Sequence, residues 1–442
     1  MKIQPAKKLS GTINLPGDKS ISHRAALFSA LAIGETRIAN FASSADCAST
    51  LACLEKLGVE IERENANVRI KGVGKNGFRA SSEPLDCGNS GTTVRLLSGI
   101  LAGQNFESVL IGDESLSKRP MKRVIAPLAQ MSARIEAEEN HLPVKISGVN
   151  PLRSIVYEMP VASAQVKSCV LLAGLNADGK TTVRNPAAKM RAATSRNHTE
   201  LMLAYLGAQL EENFVETADG FVQEITIDAN SKLVARDLNV PSDISSAAFF
   251  TVAAACLPDS EIVIKNVGLN PTRTAILDVL QRFGANIEIL HEEKACNEIV
   301  GDLRVRGSQN FPARSGANVV SGEIIANLID EIPIMAIFGT QMENGLEIRD
   351  AAELRVKESD RIAAVVENLR RMNAKVEEFP DGLRVYQSNL SGATIDSFGD
   401  HRIAMAFAVA GLFATGETEI LGAECAAVSF PEFFDVLKSV VN

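Results

Sequence analysis

The sequence predicts a mixed α/β protein of six repeats, grouped three and three into two similar domains. A helix-opening pattern recurs from Asp18, Asn89, Ser163, Asp243, Asp330 and Asp400, at intervals of 70 to 87 residues. Each copy reads helix, strand, helix, strand. The stretch KLVARDLNVPSD, residues 232–243, joins copies three and four. The period is too long for a solenoid and suits a βαβ-sized unit that buries its face against its siblings.

Each repeat opens with a helix such as AALFSALA, FFTVAAA or IAMAFAVAGLFA, apolar nearly all round and rich in small residues. Such a helix is buried and packs closely. A Gly- or Asp-containing turn leads to short β-branched strands, ETRIAN, KTTVRN, SEIVIKN and ETEIL. A second, amphipathic helix follows, as in STLACLEKLG, TAILDVLQRFG and RIAAVVENLRRM, and hairpin strands such as NVRIKG and LRVRG lie between. The expected domains are residues 17–239, holding copies one to three, and residues 1–16 plus 240–442, holding copies four to six. The N-terminal strand thus belongs with the second half, where the short sixth copy lacks a strand.

With 442 residues, 46% hydrophobic and 22% charged, the chain has ample material for two cores. A net charge of −9 argues against nucleic-acid binding but leaves room for a local basic pocket. Seven scattered cysteines without a CxxC pair predict neither a disulfide framework nor a zinc site. The N-terminal segment lacks the apolar core of a signal peptide, and no 18-residue apolar run exists. The expectation is a reduced, cytoplasmic protein with no membrane association.

Two phosphate-loop matches fail on context. GLNADGKT, residues 174–181, fits GxxxxGK[ST], yet a helix precedes it and a strand follows, the reverse of a P-loop. Gly72, Gly74 and Gly77 fit GxGxxG but lead into FRASSEP, so a hairpin turn is expected there.

The informative polar residues sit where the repeats open. In PGDKSISHR, Ser20 or Ser22 is a candidate cap, and Lys19 and Arg24 stand near a positive helix end, which favours an anion. Gly91, in GNSGTT, lets a ligand approach the backbone. Lys118, Arg119, Lys122 and Arg123 read as a solvated run on the residues alone. Ser163, Ala164 and Gln165 open the third copy; Arg196 and His198 follow in SRNHTE, with His198 read as structural. Asp330 opens the fifth copy, as a cap or as a general base for a hydroxyl. Lys357, Glu358 and Arg361 form a dense cluster, with Lys357 and Arg361 on one face if the helix starts there. His401 and Arg402 open the sixth. This inventory suits a multiply anionic substrate pair, with acid–base residues and no metal or other cofactor.

The segments LPGDKSISHRA, DCGNSGTTVRLLSG, SKRPMKR, ASAQVKSC, SRNHTE, IDEIPIMA, LRVKESDRIA and GDHRIAMAF together resemble the enolpyruvyl transferases, in the branch acting on shikimate 3-phosphate. They keep the family's order from residue 16 to 407. The resemblance implies two similar domains of three βαβαββ units each, an inside-out α/β barrel-like fold with the active site in the interdomain cleft. It implies transfer of the enolpyruvyl group of phosphoenolpyruvate to the 5-hydroxyl of shikimate 3-phosphate by addition and elimination, by a monomer. Lys19 would touch both substrates. Ser20, Arg24, Ser163, Ala164, Gln165, Arg196, Asp330 and Lys357 would hold shikimate 3-phosphate. Gly91, Arg119, Gln165, Arg361 and Arg402 would hold phosphoenolpyruvate. Asp330, Glu358 and Lys19 would be catalytic, Asp330 accepting the hydroxyl proton and Glu358 protonating the methylene carbon.

Three positions depart from the pattern of many members: Ala164 replaces a serine, Glu353 an asparagine and Val428 a lysine. They suggest the branch that includes glyphosate-tolerant members, while Gly91, which the least sensitive members replace with alanine, leaves tolerance undecided. The related branch acting on UDP-N-acetylglucosamine usually has a cysteine before its Arg-Pro pair, which GDESLSKRP lacks. A two-lobed binding protein would have no need of Asp330 and Glu358.

Overall fold

The computed structural model describes residues 1–188, 195–308, 311 and 318–442. The chain divides into two compact units. One comprises Gly17–Val240 with Ala295–Glu298, here the first unit; the other comprises Met1–Pro16, Pro241–Lys294 and Ile299–Asn442, the second.

Six helices open the repeats: α1 (Lys19–Leu31), α2 (Gly91–Ala102) and α3 (Ala164–Gly174) in the first unit, and α4 (Ile244–Cys256), α5 (Ile332–Thr340) and α6 (His401–Phe413) in the second. Each is buried along most of its length. Five have side-chain caps, which satisfy a free N–H at the helix start. Asp18 accepts from Ile21 N at 2.8 Å, Ser90 from Thr93 N at 3.0 Å, and Ser163 from Val166 N at 3.4 Å. Asp243 accepts from Ser245 N and Asp400 from Arg402 N. The serine caps expected for α1 are therefore corrected: Asp18 caps it, and Ser22 Oγ instead accepts from Ala42 N at 2.9 Å. Helix α5 has no side-chain cap and carries Pro333 in its first turn, where the missing N–H is no loss.

Close packing of α2 on α3 rests on Gly99, where a Cβ would fall 2.2 Å from the Cys169 carbonyl oxygen. Phe28 is fully buried in the first unit; truncating it to alanine would cost about 3–5 kcal/mol. In the second unit α4, α5 and α6 pack against one another, and Phe249, Phe250, Phe430 and Phe433 form an aromatic cluster in the core.

Six small sheets accompany the helices. In the first, Leu238–Asn239 runs parallel to Ile33–Ala39, which pairs antiparallel with the hairpin Glu60–Glu64/Asn67–Val73. The sheets built on Glu107–Ile111 and Lys180–Arg184 repeat this plan, each taking its parallel edge strand from just upstream. The first sheet cannot, so the end of the third repeat supplies its edge and closes the triad. The second unit closes through the N-terminus: Ser10–Asn14 runs parallel to Glu261–Gly268, and Lys2–Ile3 antiparallel to Thr418–Leu421.

Both phosphate-loop matches are turns. Gly174 ends α3 and Lys180 begins a strand; Val73 ends a strand, and no helix follows before Leu85–Asp86. All seven cysteines are free thiols. No described helix is long and apolar enough to cross a membrane.

Candidate active site

In the first unit Lys19 and Arg24 stand on α1 and Arg95 on α2, while Arg119 and Arg196 stand in connecting segments. Arg24 is 3% exposed and donates from Nε to Thr199 Oγ1 at 2.8 Å, from Nη1 to the Ser20 carbonyl at 2.8 Å and from Nη2 to Ser168 Oγ at 3.2 Å. Burial pulls its guanidinium down to about 10; Glu200 and Asp18 pull the other way, while the charge of Arg196 adds to the lowering. Arg196 is thus close enough to repel it. Lys19 Nζ meets Asp46 Oδ2 at 2.9 Å.

One turn into α2, Arg95 Nη1 donates to Gln165 Oε1 at 2.8 Å, and Gln165 Nε2 donates to Thr92 Oγ1 at 3.1 Å. Gly91 lies beside this pair, its carbonyl 3.4 Å from Arg95 Nη1. Arg119 donates to Asn89 Oδ1 at 2.9 Å and Ser115 Oγ at 3.2 Å. Helix α3 links the clusters, with Ser168 on Arg24 and Gln165 on Arg95, and Ser163 and Ala164 at its start. Arg119, read from the residues alone as solvated, is half-buried and held to the Asn89 turn.

In the second unit the pairing is ionic. Arg361 is 1% exposed, and its Nε and Nη2 reach Asp400 Oδ2 and Oδ1 at 2.8 and 3.3 Å. Nη2 also donates to Glu358 Oε2 at 2.7 Å and Nη1 to Asp330 Oδ1 at 3.5 Å. Burial alone would lower this guanidinium's pKa, but Asp400, Glu358 and Asp330 outweigh it and hold it above the usual range. Burial works against the Asp400 charge, which Arg361 and His401 restore, so its carboxyl stays below the ordinary range. Arg402 Nη1 donates to the Asp330 carbonyl at 2.8 Å and lies 3.6 Å from Glu331 Oε1. Glu331 is buried and bonded to Ser245 Oγ, which accepts from Arg273 Nη2 at 2.7 Å.

The expected shared helical face of Lys357 and Arg361 is corrected. The helix begins at Arg361, capped by Asp360 accepting from Ala363 N at 3.0 Å. Lys357 lies ahead of it and pairs with Glu353 Oε1 at 3.0 Å. Glu331, not Asp330, takes the N-cap position of α5, without a side-chain cap bond.

Sequence reasoning passed over Arg95, Asp46, Lys167, Glu200, Arg273 and Glu298. Of these, Arg95 carried a legible signal, standing four residues after Gly91 on one helical face. Among the described residues no group of three or more His, Cys, Asp or Glu side chains is arranged to hold a metal.

A buried arginine among carboxylates, Arg361, and a buried arginine held by neutral acceptors, Arg24, suit an enzyme that handles anionic small molecules. The particular family is given by comparison: the model of the EPSP synthase family, 3-phosphoshikimate 1-carboxyvinyltransferase, matches residues 3–437. The chain belongs to this family. It is 51% identical to the 3-phosphoshikimate 1-carboxyvinyltransferase of Solibacter usitatus over 100% of its length and 99% of the relative's. The enzyme of that name from Salinibacter ruber is 50% identical, over 99% of this chain and 98% of the relative. EPSP synthase from Acinetobacter baumannii superposes with a TM-score of 0.86 at 39% identity, covering 100% and 98% of the two chains. The enolpyruvyl transferase NikO from Streptomyces tendae, 16% identical, shares the fold with a TM-score of 0.77 over 99% and 96%.

Proposed function

We propose that the chain carries out its family's reaction, moving the enolpyruvyl group of phosphoenolpyruvate to the 5-hydroxyl of shikimate 3-phosphate and releasing phosphate. The observation that carries the reading is Arg361, which draws Glu358 and Asp330 to one buried cation. Asp330 takes the 5-hydroxyl proton as that oxygen bonds to C2 of phosphoenolpyruvate. Glu358 delivers a proton to C3, turning the methylene into a methyl group in a tetrahedral adduct. C3 then returns a proton to the Glu358 carboxylate, the bond from C2 to the phosphate oxygen breaks, and phosphate leaves with the proton that Asp330 had taken as the double bond re-forms. Each carboxylate thus works as general acid or base within reach of the reacting atoms.

Both substrates are anions, and the cations divide between them. The charge of Arg196 adds to the lowering of the Arg24 pKa, and a phosphate dianion accepting charge-assisted hydrogen bonds from both would offset that effect. Ser20, Ser163, Ala164, Gln165 and Lys357 complete the shikimate 3-phosphate contacts in this reading. Gly91, Arg119, Gln165, Arg361 and Arg402 receive phosphoenolpyruvate, and Lys19 touches both. The reading includes a monomer working in the cytoplasm.

Phosphate release from phosphoenolpyruvate tests it, with shikimate 3-phosphate or UDP-N-acetylglucosamine as acceptor and no added metal or nucleotide. Release with shikimate 3-phosphate alone is expected. Release only with the nucleotide sugar would reassign the acceptor. Ligand binding without release from either would make the chain an anion-binding protein.

A further inference from the structure

The segment Ser195–Glu200 is anchored at most of its residues, and two anchors outside the reaction described above are buried: an ion pair, Lys167–Glu200, and a His–Glu contact, His198–Glu298. Lys167 Nζ donates to the Ser195 carbonyl at 3.2 Å and pairs with Glu200 Oε1 at 2.5 Å. Thr199 Oγ1 accepts from Arg24 Nε at 2.8 Å and is 2.6 Å from Ser168 Oγ. His198 Nδ1 lies 2.7 Å from Glu298 Oε1, with the two residues 2% and 4% exposed. Beside Glu298, Asn297 Nδ2 donates to the Leu201 carbonyl at 3.2 Å. Glu298 and Asn297 stand about a hundred residues downstream, in the short Ala295–Glu298 stretch that belongs to the first unit.

A buried carboxylate contact is a poor way to gain stability, because desolvation offsets most of the attraction and an apolar pair of similar volume often serves as well. What it provides is direction. His198 is the first residue of helix His198–Tyr205, so fixing its ring fixes where that helix starts. Thr199, next along, is the acceptor for Arg24 Nε, and Arg196 stands two residues before His198. We infer that Glu298 is a positioning residue: through His198 it sets Arg196 and, by way of Thr199, Arg24, for the phosphate of shikimate 3-phosphate. The inference rests on the assignment of those two arginines to that phosphate.

The test compares Glu298→Ala and Glu298→Gln with the unaltered enzyme, reading kcat, both KM values and direct binding of shikimate 3-phosphate and of shikimate. KM for shikimate 3-phosphate is expected to rise at least about tenfold in Glu298→Ala and less in Glu298→Gln, which keeps an acceptor. KM for phosphoenolpyruvate, kcat at saturation and the binding of unphosphorylated shikimate should stay within about twofold. A folded Glu298→Gln protein that shows a lower melting temperature and an unchanged KM would overturn the inference. So would equal losses for shikimate and its phosphate, or failure of both variants to fold, since the pair would then serve stability alone. Lack of turnover by the unaltered enzyme would instead sink the underlying assignment, so the two failures are told apart.

Discussion

In the contacts described above, the two units pair their site arginines differently, with Arg273, bonded to Ser245, an exception in the second. In the first, Arg24 donates to two hydroxyls and a backbone carbonyl, Arg95 to an amide oxygen and Arg119 to an amide oxygen and a hydroxyl. In the second, Arg361 meets three carboxylates and Arg402 lies near two. Neutral partners orient a guanidinium without cancelling its charge, which leaves the charge available to an incoming phosphate or carboxylate. Carboxylate partners offset it, and the arginine then holds those carboxylates in place. Lys19 with Asp46 and Lys167 with Glu200 are ionic exceptions in the first unit. In the proposed reaction the first unit's arginines would bind anions with neutral groups beside them, whereas Arg361 and Arg402 would receive phosphoenolpyruvate with carboxylates beside them, and mutation can test that contrast.

The largest effect is expected from Asp330→Ala. Turnover should fall by about 10²–10⁴, the range of a lost general base, with binding of shikimate 3-phosphate mostly kept. Calorimetry beside the phosphate-release assay decides this, and undiminished turnover would remove Asp330 as the base. Arg24→Ala should do the opposite, weakening shikimate 3-phosphate by about a hundredfold through the loss of a charge-assisted contact. If the two variants shift binding and turnover in the same proportion, the division between the units fails.

Much of this was legible in the sequence, for identifiable reasons. The opening helices announced themselves because a helix buried all round must be apolar all round, as Ile244–Cys256 is. The strand after each helix followed from its β-branched run. Less was legible where a polar side chain chooses among local partners. Ser22 looks like a cap, yet Asp18 takes that place and Ser22 turns to Ala42. The start of the helix at Arg361 depended on Asp360, one of several charged neighbours. Glu298 was silent: nothing within ten residues of it hints at His198, and only the folded chain brings them together. Long-range pairing of charges has no period to read.

A smaller effect concerns stability against acid. His23 is fully buried, with Nδ1 2.7 Å from Thr50 Oγ1, which in turn lies 2.6 Å from Thr93 Oγ1. Burial pulls its pKa down to about 3, with Lys19 and Arg24 adding to the shift and Asp46 opposing it. The folded value lies below the unfolded one, about 6.5. As pH falls from 6.5 towards 3, the unfolded chain therefore binds a proton that the folded chain refuses. Stability then drops by up to about 1.4 kcal/mol per pH unit, or roughly 2 kcal/mol between pH 6.5 and 5. His23→Gln should flatten this slope in urea melts at the two pH values. An unchanged slope would mean that His23 is protonated inside the fold, and Arg24 would then face a second cation on its own helix.

Gly91→Ala should have the smallest effect, and it probes how much freedom the neutral partners leave an arginine. The added Cβ would come within 2.5 Å of Arg95 Nη1 and 3.6 Å of Arg119 Nη1. Both are ends of flexible side chains, so the backbone keeps its place. An alanine at the helix start also gains up to about 1 kcal/mol of helix propensity, so melting temperature should hold or rise. The cost falls on the Arg95–Gln165 hydrogen bond, and KM for phosphoenolpyruvate should rise several-fold, about 1 kcal/mol, with shikimate 3-phosphate unaffected. Unchanged values for both substrates would show that Arg95 swings aside without disturbing Gln165. In that case a neutral partner fixes an arginine less firmly than the carboxylates around Arg361 do, and orientation in the first unit must come from helix packing rather than from the hydrogen bonds themselves.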